Sequence, residues 1–221
     1  MTTPGPQARQ GERRLPMALA VLVAGGLYLF VPADFRISQG THYAYPALLV
    51  VFLIVLVIGD PGRIDRDRRW LRLVTGLLIV TITVASAASA VRLVVGILQK
   101  ADFTSPGELL TIGAVVWITN IIAFALWYWH LDGGGPAARA NGRLHSRPAF
   151  RFPEEGIEEL GAVVWYPQFV DYFALSFNTS TAFSPTDVSA IRHWSKLVMI
   201  VESSISLLLV VLVVARAVNV L

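Results

Sequence analysis

At 221 residues, 55% of them apolar and only 15% charged, with a mean hydropathy of +0.61, the chain lies far from the composition of a soluble domain. One membrane bundle with short connections accounts for its length and leaves no room for a second soluble domain. Cysteine is absent, which excludes disulfides and thiolate metal sites, and with a net charge of only +3 the placement of the arginines says more than their sum.

Residues 1–14 read as a polar tail. Residues 15–31 form the first apolar segment, just long enough to cross about 30 Å of hydrocarbon as a helix. A signal peptide cut after Ala33 is the other reading of that stretch, and the remaining chain would still be polytopic. Residues 44–59, 71–98 and 109–130 supply three more spans, of which 71–98 is longer than needed and is expected to tilt. A last span covers residues 197–220. Helices are forced, because lipid cannot satisfy open backbone groups and the alternation of a barrel strand is absent.

Orientation follows from the basic residues in the connections. The tail, the second connection and the fourth hold twelve arginines, against Arg36 and Lys100 on the opposite side. This places the N-terminus and residues 132–160 in the cytoplasm, with the chain in the plasma (inner) membrane. Trp70, Trp127, Tyr128 and Trp129 are then expected at the cytoplasmic interface. Residues 132–160 read as a loop: Asp132-Gly133-Gly134-Gly135-Pro136 stops a helix abruptly. The acids around Pro153 suit the start of a short amphipathic helix on a solvated surface.

Residues 161–221 carry the more unusual chemistry. Between Gly161 and Trp194 the chain is too polar for a plain span and too apolar for a plain loop. Only residues 169–177 make a clean helix, too short to cross, so a re-entrant half-helix is expected, lining water or buried in protein. A true sixth span over residues 161–183 is a further possibility. The expected fold is therefore an all-α membrane protein of five transmembrane helices plus a pore-loop-like hairpin. Its regions are the tail 1–14, a four-helix region 15–131, the loop 132–160 and the hairpin with its last helix 161–221.

Glu202 is the single charge among fifteen residues from Leu197 onward. A carboxylate this deep must be paired, protonated or hydrated, since desolvation disfavours its charged form. Two readings stand: a hydrated path through Thr179, Ser180, Thr181, Ser184, Thr186, Asp187, Glu202 and Ser206, or an internal pair between Glu202 and Arg92. Asn120, central in the fourth span, reads as an interhelical hydrogen bond, and Ala85-Ser86-Ala87-Ala88-Ser89-Ala90 as a small face for close packing. Asp187 suits either a cation ring or the cap of the last helix. The four histidines are scattered and no catalytic, phosphate-loop or metal constellation is visible, so neither enzyme activity, nor a cofactor, nor nucleic-acid binding is expected.

The short helix, the turn Thr179-Ser180-Thr181-Ala182-Phe183-Ser184-Pro185-Thr186-Asp187 and the apolar helix ending in Ala-Arg resemble the C-terminal half of potassium-type pore-loop channels. The likeness covers roughly the last fifty residues. Ser184 and Thr186 stand where those channels have filter glycines, so a potassium filter of the usual kind is not implied. Those channels also bring their loop in from outside, so the arginine asymmetry implies either an inverted hairpin, as in ionotropic glutamate receptors, or no pore. A second resemblance covers more of the chain. Phe-Ala-Leu-Trp-Tyr-Trp-His-Leu-Asp-Gly-Gly-Gly, then Phe152-Pro153, Asp171-Tyr172-Phe173 and a last helix ending near Asn219 are similar to an uncharacterised family of small bacterial integral membrane proteins, known only as a domain of unknown function. That family lends a fold and no established activity, whereas the channel likeness implies a homo-oligomer in a lipid bilayer, a tetramer if pore-loop-like, passing monovalent cations or protons. The alternative is a non-conducting scaffold or accessory subunit whose hairpin is a packing interface.

Overall fold

The structure is a computed structural model describing residues 11–38, 40–99, 106–142, 144–155, 165–181 and 187–220. It is mostly helical, and four of its helices are long and apolar enough to cross a membrane: α2 (Thr41–Gly59), α3 (Arg69–Leu98), α4 (Pro106–Leu131) and α7 (His193–Val220). A shorter apolar helix, α1 (Leu15–Tyr28), precedes them. Its 14 residues rise about 21 Å, short of the hydrocarbon thickness expected of the first span. Two further α-helices among the described residues are α5 (Pro136–Ala140) and α6 (Phe169–Thr181).

α1 and α2 run antiparallel, and polar contacts pin both ends. At one end the two-residue strand β1 (Glu12–Arg13) pairs with β2 (Arg63–Ile64), and Arg14 meets Asp60 at 3.3 Å. At the other, the Tyr28 and Thr41 hydroxyls lie 2.9 Å apart. α3 returns along the bundle, and near its C-terminal end Arg92 donates to the carbonyls of Asp34 and Ile37. Arg92 thus joins the turn between α1 and α2 and is not the partner of Glu202.

α4 is the central helix. It packs on α1, α3, α6 and α7, as its long run of buried apolar positions requires. Its end is abrupt because Gly133, Gly134 and Gly135 all take positive φ (62°, 95° and 101°) before Pro136 opens α5. The following connection is not a solvated loop. Ala149, Phe150 and Phe152 are buried in the main core, and the Phe150 ring packs against Tyr128 at 5.1 Å and against Tyr172 and Trp194 at 6.2 Å. Isolated aromatic anchors in an irregular segment leave no periodic trace in the sequence. The acids Glu158 and Glu159 lie outside the described residues; Pro153 to Glu155 form a turn.

The strand β3 (Phe150–Arg151) pairs antiparallel with β4 (Ser189–Ala190), just before α7. α6 starts at the same end of the bundle, where the Phe169 amide donates to the Glu12 carboxylate. It covers the 169–177 helix and extends four residues beyond it. Its 13 residues, about 20 Å, stop alongside the first third of α7, where Ser203 donates to the carbonyl of Thr179.

Candidate functional site

One centre of buried polar chemistry lies where α4, α6 and α7 meet. Glu202 enters from α7 with 0% exposure. One carboxylate oxygen, Oε1, accepts hydrogen bonds from the Ser176 hydroxyl and, at 3.0 Å, from that of Ser180. The other, Oε2, accepts from the Tyr128 hydroxyl. Among the described residues Glu202 takes part in no ion pair. Three hydroxyls on two neighbouring helices therefore supply what solvent or a cation supplies elsewhere, as a buried carboxylate demands.

Spacing explains how α6 delivers them. Tyr172, Ser176 and Ser180 recur every fourth residue, so they share one face, and all three are buried. The Ser176 hydroxyl also lies 2.8 Å from the Ile121 carbonyl oxygen, so its single proton is shared between that carbonyl and Glu202, tying α6 to α4. One turn beyond Glu202, Ser206 accepts a 3.3 Å hydrogen bond from the Asn120 amide, linking α4 to α7. Glu202, Ser206 and Asn120 form a polar seam on the axis of this three-helix group.

The other residues singled out from the sequence fall differently. Thr179 and Thr181 turn their hydroxyls onto their own helix, donating to the carbonyls of Leu175 and Asn178. Ser184 and Thr186 lie outside the described residues. Asp187 is exposed, and α7 begins six residues later, after β4, so Asp187 does not cap that helix. Among the described residues no three His, Asp or Glu side chains gather as a metal-binding set.

Reading Tyr128 and Trp129 as interfacial rings is wrong. Both are fully enclosed: Tyr128 serves Glu202, and the Trp129 indole donates to Glu12 at 2.8 Å. Trp127 donates to the Thr83 hydroxyl on α3, whereas Trp70 does lie at the surface. An aromatic helix end in a polytopic chain fits an interfacial belt and a packed interior equally well, and the sequence carries nothing that separates them.

A second polar cluster at the arginine-rich end of the bundle escapes the sequence reading. Asp132, 1% exposed, accepts from the Tyr172 hydroxyl and the Ala149 amide, both at 2.5 Å. Arg139 donates to the carbonyls of Trp129 and Asp132 and lies 4.8 Å above the Tyr172 ring. Glu12, also buried, accepts from Trp129 and from the Phe169 amide, and burial pushes its carboxyl above the usual range in spite of both bonds. The signal available for α6 was the fourth-residue recurrence of Tyr172, Ser176 and Ser180. For Glu12 there was none, since its partners lie over a hundred residues away in sequence. No protein family, curated protein or solved structure matches this chain.

Proposed function

We propose that the chain is a five-span inner-membrane protein with a re-entrant half-helix, and that it passes protons or monovalent cations by way of Glu202. The observation that carries this is a fully buried carboxylate served by three hydroxyls, with no ion pair among the described residues. Such a group is expensive inside a bilayer and marks a functional interior by default. Hydroxyls can turn from donor to acceptor, so the same cage serves the anion, the neutral acid, or a small cation held among oxygens.

The topology has its own support. α1 begins where α2 ends and ends where α2 begins, which favours a crossing despite its length. α6 starts at the arginine-rich end, and β4 lies at that same end against β3, which favours a dip and return over a sixth span. Arginine placement favours a cytoplasmic face for that end. The likeness to pore-loop channels and to an uncharacterised bacterial membrane family fits a helix of this kind ahead of the last span. A homo-oligomer would bring several such hairpins around one axis.

The competing reading is a non-conducting scaffold, and one observation favours it: both oxygens of Glu202 already accept hydrogen bonds from Tyr128, Ser176 and Ser180, so the carboxylate has its acceptors in use without any ion. Reconstitution into liposomes with a trapped pH dye, under imposed potassium, sodium and proton gradients, separates the two. Conduction is expected, with weak preference between potassium and sodium because the filter glycines are missing. Glu202→Gln is expected to change the flux or its pH dependence by about tenfold or more while the protein still assembles. A parent protein silent under every gradient would establish the scaffold.

A further inference from the structure

The arginine-rich end holds a cavity of about 40 Å³, separate from the Glu202 cage, between the start of α1, the connection from α2 to α3, and the end of α4. Its floor is apolar, with Met17, Leu56 and Trp129 all buried. Its polar lining is unbalanced. Arg14, Arg66, Arg68 and Arg72 face it, against the carboxylates of Asp60 and Asp67. Thr75 and His130 complete the polar wall.

Both carboxylates are already committed. Asp60 meets Arg14 at 3.3 Å and Arg66 at 3.8 Å and accepts the amides of Asp65 and Arg66. Asp67 meets Arg72 at 3.0 Å and also holds His145. What remains is positive. Arg68, exposed on the rim, has no acceptor among the described residues. Arg14 is only 7% exposed, yet its Nε–H finds no partner there. A buried guanidinium with an idle donor at a polar cavity is a feature that asks for an acceptor.

We infer that this cavity binds a phosphate group, with Arg14 at its base and Arg68 and Arg72 at its mouth. A space of about 40 Å³ exceeds the need of one water and suits a small tetrahedral oxyanion. Guanidinium forks match phosphate oxygens in pairs, with the short, strong bonds of ionised partners. The cavity lies at the ends of the long helices, where lipid headgroups would stand in a bilayer, so the phosphate belongs either to an anionic lipid or to a soluble phosphate compound.

The test uses the full chain in nanodiscs of phosphatidylcholine, titrated with inorganic phosphate, and in nanodiscs that also contain phosphatidylglycerol. Thermal unfolding reads the binding, because a ligand held only by the folded state raises Tm. Arg68→Gln removes a rim charge that nothing else uses, and Arg14→Lys keeps the pair with Asp60 but lacks the Nε–H. Arg147→Gln, at an exposed arginine outside the cavity, controls for net charge. Stabilisation is expected from at least one phosphate source, weakened about tenfold or more by Arg68→Gln and by Arg14→Lys and unchanged by Arg147→Gln. A response to inorganic phosphate assigns a soluble ligand, and a response to phosphatidylglycerol alone assigns a headgroup. No response to either, or equal losses in Arg68→Gln and Arg147→Gln, would overturn the site. Should Arg14→Lys fail to fold, Arg68→Gln alone decides.

Discussion

Glu202 has its charge answered by hydroxyls, so neutralising it and deleting it have different consequences. Glutamine keeps one acceptor and adds an amide to which the hydroxyls can present lone pairs, so Glu202→Gln should fold with a loss of about 1 kcal/mol. Leucine would strand Tyr128 and Ser180, at about 1–3 kcal/mol for each group left unsatisfied, whereas Ser176 keeps the Ile121 carbonyl. Because Arg92 binds the carbonyls of Asp34 and Ile37, Arg92→Met should give no rescue. Chemical denaturation of both single variants and the double should show additivity within about 0.5 kcal/mol. A strong rescue would place Arg92 beside Glu202 after all. Glu12 makes a prediction in pH. Its folded carboxyl is raised above 4.5, mainly by desolvation, so the folded state holds the proton more tightly than the unfolded chain. That contribution is complete below 4.5 and is lost as pH rises through the folded value. Thermal unfolding against pH should show the decline, and Glu12→Gln should flatten it.

Among the elements, α4 and α7 approach closely at Gly113. A Cβ built on Gly113 would stand 2.8 and 2.9 Å from the two methyl groups of Val213. Valine is stiff at χ1 and cannot swing aside, so Gly113→Ala should cost about 1–3 kcal/mol by overpacking. Val213→Ala in the same chain should recover most of it, measured as thermal stability of the double against each single. Neither residue stands out in the sequence, where the Ala85–Ala90 run is the obvious small face; there Ala85, Ser86 and Ser89 are the buried members. The four long helices are legible because a run of apolar residues longer than a bilayer is thick has few alternatives. Glu202 is legible for the same reason: one charge in such a run cannot be incidental. Its cage was only half legible. Ser180 lies in the hydroxyl-rich stretch, but Ser176 is one polar residue between Leu175 and Phe177, and Tyr128 hides among interfacial-looking rings. Phe150 and Glu12 were invisible, because long-range packing of an irregular segment leaves no period to read.

For the molecule as a whole, the hairpin makes a topological claim that labelling can test. Asn141 and Asp187 are both exposed, on either side of α6 in the chain. If α6 dips and returns, Asn141→Cys and Asp187→Cys should resist an impermeant maleimide applied outside intact cells. Ser38→Cys, in the turn after α1, should react. Opposite behaviour of positions 141 and 187 would make α6 part of a true crossing, and outside labelling of position 141 would reverse the orientation. The two bonds from the Glu12 carboxylate also set a clock on biosynthesis. Glu12 and the Phe169 amide are separated by 157 residues, so the first helix leaves the ribosome long before its clasp exists. At about 5–20 residues per second that interval is roughly 8–30 s. Until then the N-terminal segment can pair with β2 and, once residue 129 has emerged, with the Trp129 indole, but the second oxygen of its carboxylate still lacks its donor. The N-terminal clasp therefore stays half-made until most of the chain exists, and chains released before position 169 should be open to quality-control proteases at Glu12.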